Sequence, residues 1–142
     1  MVATPLISGV LEAALYVDDL DAAAAFYGGV IGLEEVTRRD TRHIFYRAGE
    51  TIVLLFVARE TLKPPGPGAA LPVPTHGATG PGHLCFNVPG ADLDDWVETL
   101  TTAGIAIEAD FHWPNGARSI YVRDPAGNSV EFAEPKLWER VA

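Results

Sequence analysis

A chain of 142 residues, 48% of them hydrophobic and 20% charged, is long enough for one compact domain, or two half-size modules sharing a core, and too short for a large multidomain enzyme. Ten Lys and Arg against 19 Asp and Glu leave a formal charge of −9, which repels nucleic-acid phosphates and anionic lipid and favours a neutral or cationic ligand. A lone cysteine, Cys85, excludes an internal disulfide framework and any multi-cysteine zinc or iron–sulfur site, so metal chemistry must use His, Asp and Glu.

The longest apolar runs, such as 52–58, fall far short of a membrane span, and the N-terminus lacks the basic and long apolar regions of a signal peptide, so a cytoplasmic protein is expected. In residues 10–17, Ala13, Leu15 and Val17 alternate with Glu12, Ala14 and Tyr16, the period of a half-buried strand. Asp18 and Asp19 end it. Asp19 or Asp21 offers an N-cap, and Leu20, Ala24, Tyr27 and Ile31 recur at helical spacing until Gly32 supplies a left-handed stop, predicting a helix over 21–30. Residues 33–38, 42–48 and 51–58 read as three further strands, the last two joined by a Gly49-Glu50 turn. The first module, 9–58, is thus β-α-β-β-β.

Residues 59–81 carry six prolines and several glycines without periodicity and read as a connection or irregular flap. The order then repeats over 82–134: a strand over 82–88, a helix near 92–103 stopped by Gly104, and strands over 105–110, 117–123 and 129–133. Residues 135–142 form a tail. Leu15 matches Phe86, Val17 matches Val88, Gly32 matches Gly104 and Gly49 matches Gly127 at a slowly drifting offset, as two copies of one unit should. The expected architecture is α+β, two tandem βαβββ modules forming a curved mixed sheet around a cavity with helices on the outer face.

Strand parity sorts the side chains. Leu84, Phe86 and Val88, Ile120 with Val122, and Val130 with Phe132 should pack beneath the helices. The opposite face carries His83, Cys85, Asn87, Ser119, Tyr121, Ser129 and Glu131, with Glu12 and Tyr16 at the equivalent places in the first module. Buried carboxylates need compensation. Either Glu12, His83 and Glu131 ligate a divalent cation, or Glu12 lies at a solvated edge, His83 is hydrogen-bonded in the core and Glu131 meets Arg118 or Arg123. No local ligand motif decides between them. Cys85 reads as a small packing residue, His112 and Trp113 as a pocket wall or plain packing, and His76 as a flap residue over the cavity or, the favoured reading, a solvated side chain of the connection.

At these residues the chain resembles the vicinal oxygen chelate superfamily, which includes glyoxalase I, fosfomycin-resistance proteins, extradiol dioxygenases and bleomycin-resistance proteins. The resemblance runs from Gly9 to Pro135 and is strongest in LYVDDLD with AFY and VIGL, in GHLCFNV, and in SIYVRDPAGNSVEF. It implies metal ligands at Glu12, His83 and Glu131, with Glu12 standing where metal-binding members usually carry His. A fourth ligand would fall at Val53 by the Gly49/Gly127 register, and valine cannot ligate; the Ser119-x-Tyr121 pattern looks like the fosfomycin branch. The implied function is a Mn, Fe, Zn, Ni or Co enzyme acting as Lewis acid on a small molecule chelated through two neighbouring oxygens. Glu131 and Tyr121 are its candidate catalytic residues, and Tyr121, Ser119, Trp113 and Arg118 its candidate substrate contacts. The family also implies a homodimer in which Glu12 of one subunit completes the site of the other. The rival is a metal-free, bleomycin-resistance-like protein that sequesters a basic molecule, which agrees with the −9 charge; a third form is a degenerate member whose Glu12 only hydrogen-bonds His83.

Overall fold

In the computed structural model, residues 3–68 and 71–140 are described; positions 1 and 2, 69 and 70 of the connection, and 141 and 142 of the tail lie outside them. The first module runs β1 (Glu12–Tyr16), α1 (Leu20–Ala24), a π-helical turn (Ala25–Val30), β2 (Glu34–Arg39), β3 (His43–Ala48) and β4 (Thr51–Phe56). The second runs β5 (His83–Asn87), a 3-10 turn (Gly90–Asp92) leading into α3 (Leu93–Thr102), β6 (Ala109–His112), β7 (Arg118–Arg123) and β8 (Ser129–Ala133). Between them stands α2 (Ala58–Thr61), one helical turn inside the expected connection and last strand. Among the described residues no helix is long and apolar enough to cross a membrane.

The strands form two open four-stranded sheets, ordered β1-β4-β3-β2 and β5-β8-β7-β6. In each sheet the first strand pairs parallel with the last and the remaining pairs are antiparallel. The duplication is thus visible as one topology used twice. It extends to the helix ends: Gly32 and Gly104 both adopt the left-handed region, at φ 83° and 81°, which a side chain with a Cβ resists. Asp19 accepts from the Ala22 amide at 3.1 Å and starts α1.

Parity places the core as expected. Leu15, Val17, Phe86, Val88, Ile120, Val122, Val130 and Phe132 are all buried in one cluster that draws on both modules; each such side chain stabilises the fold by about 1.5–3 kcal/mol. The helices cover this face and leave the other face of each sheet open.

Polar groups join the modules as well. Tyr27 donates to buried Asp124 at 2.7 Å, and Asp124 also accepts from the amides of Ala126 and Asn128 and from the Asn128 side chain. Asn128 in turn donates to the Tyr16 carbonyl at 2.9 Å and accepts from the Gly82 amide at 2.7 Å. The turn after β7 therefore ties β1 to the start of β5, a larger task than the local turn chemistry its Gly-Asn pair suggests.

One strand lies elsewhere than expected. β6 occupies Ala109–His112 because Ile105 and Ile107 pack against the core from an irregular segment, and only from Ala109 onward does the chain come into register with β7. This puts His112 in the strand, opposite Arg118.

Candidate functional site

The open face of the second sheet gathers His83 from β5, Ser119 and Tyr121 from β7, and Glu131 from β8. Glu131 stands opposite Cys85 on one side and Tyr121 on the other. Glu131 is 4% exposed, and its two carboxylate oxygens have different partners. Oε2 accepts from the Ser119 hydroxyl at 2.6 Å; Oε1 lies 3.2 Å from His83 Nε2. His83 Nδ1 is 3.0 Å from the Ser129 carbonyl oxygen, which can only accept, so Nδ1 carries a proton. In the neutral ring Nε2 is then a bare lone pair aimed at a carboxylate oxygen, an arrangement that calls for a proton or a cation between them.

The surrounding hydroxyl and thiol are held neutral. Burial first, and the Glu131 charge second, push both Tyr121 and Cys85 up to about 12, so each stays protonated at neutral pH beside the carboxylate. The Tyr121 ring stacks on His83 with centroids 6.0 Å apart and on Phe111 at 5.8 Å. A cavity of about 550 Å³ opens above the pair, walled by Trp113, Pro114, Tyr121, Leu137 and Trp138.

Two of the expected ligands therefore meet, and the third does not join them within one chain. Glu12 lies exposed at the start of β1, on the open face of the first sheet with Tyr16, and among the described residues no three His, Cys, Asp or Glu side chains of one chain form a metal-binding group. The donor set of the pair, an imidazole nitrogen and a carboxylate oxygen 3.2 Å apart with their other polar atoms engaged, fits a first-row divalent cation, needing further oxygen donors to complete it.

Other expectations change with the register. The two ladders align Leu54, and not Val53, with Glu131: β1 and β4 pair Leu15 with Leu55, as β5 and β8 pair Phe86 with Phe132. Leu54, like Val53, cannot ligate. Arg118 lies on the helix side of β7, where it donates to Asp110 through two nitrogens at 2.8 Å and to Asp94 on α3 at 2.7 Å, and it does not line the cavity. Nor does His112, which shares that side. Ser119 is fully buried and spends its proton on Glu131. His76 is not a solvated side chain: its Nδ1 lies 2.6 Å from the Tyr16 hydroxyl oxygen and its ring packs edge-on to Phe56 at 4.6 Å, folding the connection over the first sheet's open face. His43, Phe45 and Phe56 continue that face as an aromatic surface. Sequence reasoning missed Leu137 and Trp138 at the cavity mouth. The signal available was the Leu-Trp pair set between Lys136 and Glu139.

The model of the Glyoxalase/Bleomycin resistance protein/Dioxygenase superfamily matches residues 9–132. A virulence protein of Salmonella typhimurium is 31% identical over 124 residues, 84% of this chain and 79% of that protein. Among solved structures, a lactoylglutathione lyase from Agrobacterium tumefaciens superposes with a TM-score of 0.87 at 44% identity, covering 94% of this chain and 98% of the other. A glyoxalase/dioxygenase from Nostoc punctiforme does so with a TM-score of 0.65 at 27% identity, covering 94% and 98%.

Proposed function

Because the chain belongs to the Glyoxalase/Bleomycin resistance protein/Dioxygenase superfamily, we propose that it is a divalent-metal-dependent, lyase-type enzyme of the glyoxalase kind, with His83 and Glu131 as two of its metal ligands. The observation that carries this reading is His83 Nε2 standing 3.2 Å from Oε1 of an almost fully buried carboxylate while Nδ1 is engaged by the Ser129 carbonyl. The 44% identity to a lactoylglutathione lyase supports the lyase class over the dioxygenase and transferase classes. A Mn, Fe, Zn, Ni or Co ion held there would supply Lewis acidity toward a small substrate bound through two neighbouring oxygens.

The chain's own groups do the rest. Glu131 offsets cationic charge in the site. Tyr121, protonated at neutral pH and standing opposite Glu131, holds or hands over a proton at a substrate oxygen. Trp113 and Tyr121 wall the cavity and exclude water from the substrate's apolar part. Glu12 reaches the site from a second subunit, so the working unit is a homodimer with two shared sites.

Elemental analysis of protein purified without chelator tests the metal. Near-stoichiometric transition metal, lost in Glu131→Ala with the far-UV circular dichroism unchanged, is expected. Mixing Glu12→Ala subunits with His83→Ala subunits tests the sharing: in the mixed dimer one of the two sites keeps all three ligands, so the isolated mixed dimer regains half of the parent's metal uptake. A site contained within one chain regains nothing. The second reading, a metal-free protein that sequesters a basic molecule, is favoured by the −9 charge; it predicts metal-free protein and tight binding of a cationic ligand.

A further inference from the structure

Ser119 links the cavity wall to the buried carboxylate through two bonds whose direction chemistry dictates. The Trp113 indole Nε1 lies 2.8 Å from Ser119 Oγ, and Ser119 Oγ lies 2.6 Å from Glu131 Oε2. An indole N–H can only donate and a carboxylate can only accept. The hydroxyl must therefore accept from Trp113 and donate to Glu131, with no alternative rotor setting that satisfies both neighbours. Ser119 is fully buried and Glu131 nearly so, so water does not compete for either bond.

The upstream end of the chain of bonds is equally fixed. Trp113 donates its amide to the Ala117 carbonyl at 2.7 Å, and the Gly116 amide closes the turn on the Trp113 carbonyl at 2.8 Å. Asn115, in that turn, donates to the Lys136 carbonyl at 3.0 Å and so ties it to the 3-10 turn that carries Trp138.

We propose that Trp113 and Ser119 form a positioning relay for Glu131, in which the indole N–H orients the serine hydroxyl and the hydroxyl occupies Oε2, leaving Oε1 alone to bind the metal beside His83. The proposal rests on the reading of His83 and Glu131 as metal ligands. Its consequence is that a cavity-wall aromatic and the metal-binding carboxylate share one hydrogen-bonded chain, so an outer partner sets the affinity of the ion.

The experiment uses the full-length protein stripped of metal, with Mn²⁺ as the probe. Ser119→Ala frees Oε2 and should raise the Mn²⁺ dissociation constant about 10–100-fold, the usual cost of losing an outer-shell partner. Trp113→Phe keeps the aromatic wall and loses only the donor; it should raise the constant less than Ser119→Ala does, with the far-UV circular dichroism of both variants unchanged. A second readout needs no metal. The Trp113 indole proton resonance, assigned by its loss in Trp113→Phe, should shift and exchange faster in Ser119→Ala. It should also shift in Glu131→Gln, although Glu131 makes no hydrogen bond to Trp113. An indole resonance indifferent to Glu131→Gln, or Mn²⁺ affinity within twofold of the parent in Ser119→Ala, overturns the relay. A parent protein that takes up no Mn²⁺ overturns instead the metal reading of the pair, and the indole resonance alone then decides whether the relay stands.

Discussion

Replacing Asp124 by alanine should be among the most damaging single changes outside the hydrophobic core. The carboxylate is 4% exposed and accepts from the Tyr27 hydroxyl, the amides of Ala126 and Asn128, and the Asn128 side chain. In Asp124→Ala the half-buried Ala126 amide can turn to water, and the Asn128 side chain keeps the Tyr16 carbonyl. The Tyr27 hydroxyl and the Asn128 amide are left buried without partners, at about 1–3 kcal/mol each. A loss of about 4 kcal/mol follows, which for a domain of this size lowers Tm by about 15 °C. Urea titration followed by far-UV circular dichroism measures it, and a double-mutant cycle with Tyr27→Phe isolates the bond between modules, with an expected coupling of about 1–2 kcal/mol. If Asp124→Ala costs under about 1 kcal/mol, or if Tyr27→Phe costs as much with Asp124 absent as present, the polar tie between the modules does not stabilise the fold.

Burial first, and the charge of Asp124 second, hold the Tyr27 phenol far above its ordinary range. Folding therefore favours the protonated phenol: its contribution is complete below the unfolded-state value of about 10 and is lost as pH rises above it, so alkaline melts of the parent should fall more steeply than those of Tyr27→Phe. Arg118→Met removes the partner whose hydrogen bond holds the Asp110 carboxyl below the usual range. Stability tied to that depressed carboxyl is present above about pH 4 and lost as pH falls, so the variant should lose about 1 kcal/mol at neutral pH and show a flatter acid limb in thermal melts. His76→Phe keeps the packing on Phe56 and breaks the bond to Tyr16; proteolysis within the connection should quicken several-fold while global stability changes by less than about 1 kcal/mol.

What could be read in the amino-acid order is what local periodicity encodes. Alternation in GHLCFNV and SIYVRDP separates the core face from the open face, and the matched glycines after each helix mark the duplication. Those signals carried the two modules and set His83, Tyr121 and Glu131 on one face. The rest depends on which strand lies beside which and at what offset. The one-residue difference between Val53 and Leu54 opposite Glu131 appears only in the ladders, because the turns of the two modules differ. For Arg118 the sequence leaves open a substrate contact or an acidic partner, and the structure supplies the partners, Asp94 and Asp110, on the helix side. Ser119 is placed on the open face by parity, but nothing local, between Arg118 and Ile120, says that Trp113 and Glu131 saturate it. The short helix α2 has no periodic signature at its length, and the helical spacing over 21–30 does not show that its second half, Ala25–Val30, is π-helical.

Leu54 has a consequence for how such a centre can change over time. It stands at the position that Glu131 occupies in the other copy, and it is 8% exposed. A mutation to glutamate there would bury a carboxyl before any ion arrived to neutralise it, at a cost of several kcal/mol, a large fraction of the margin of about 5–15 kcal/mol that a domain this small has. The evolutionary path from this ligand set to one with an added acidic donor therefore runs through an intermediate that is less able to fold, unless the ion is already abundant where the chain is made.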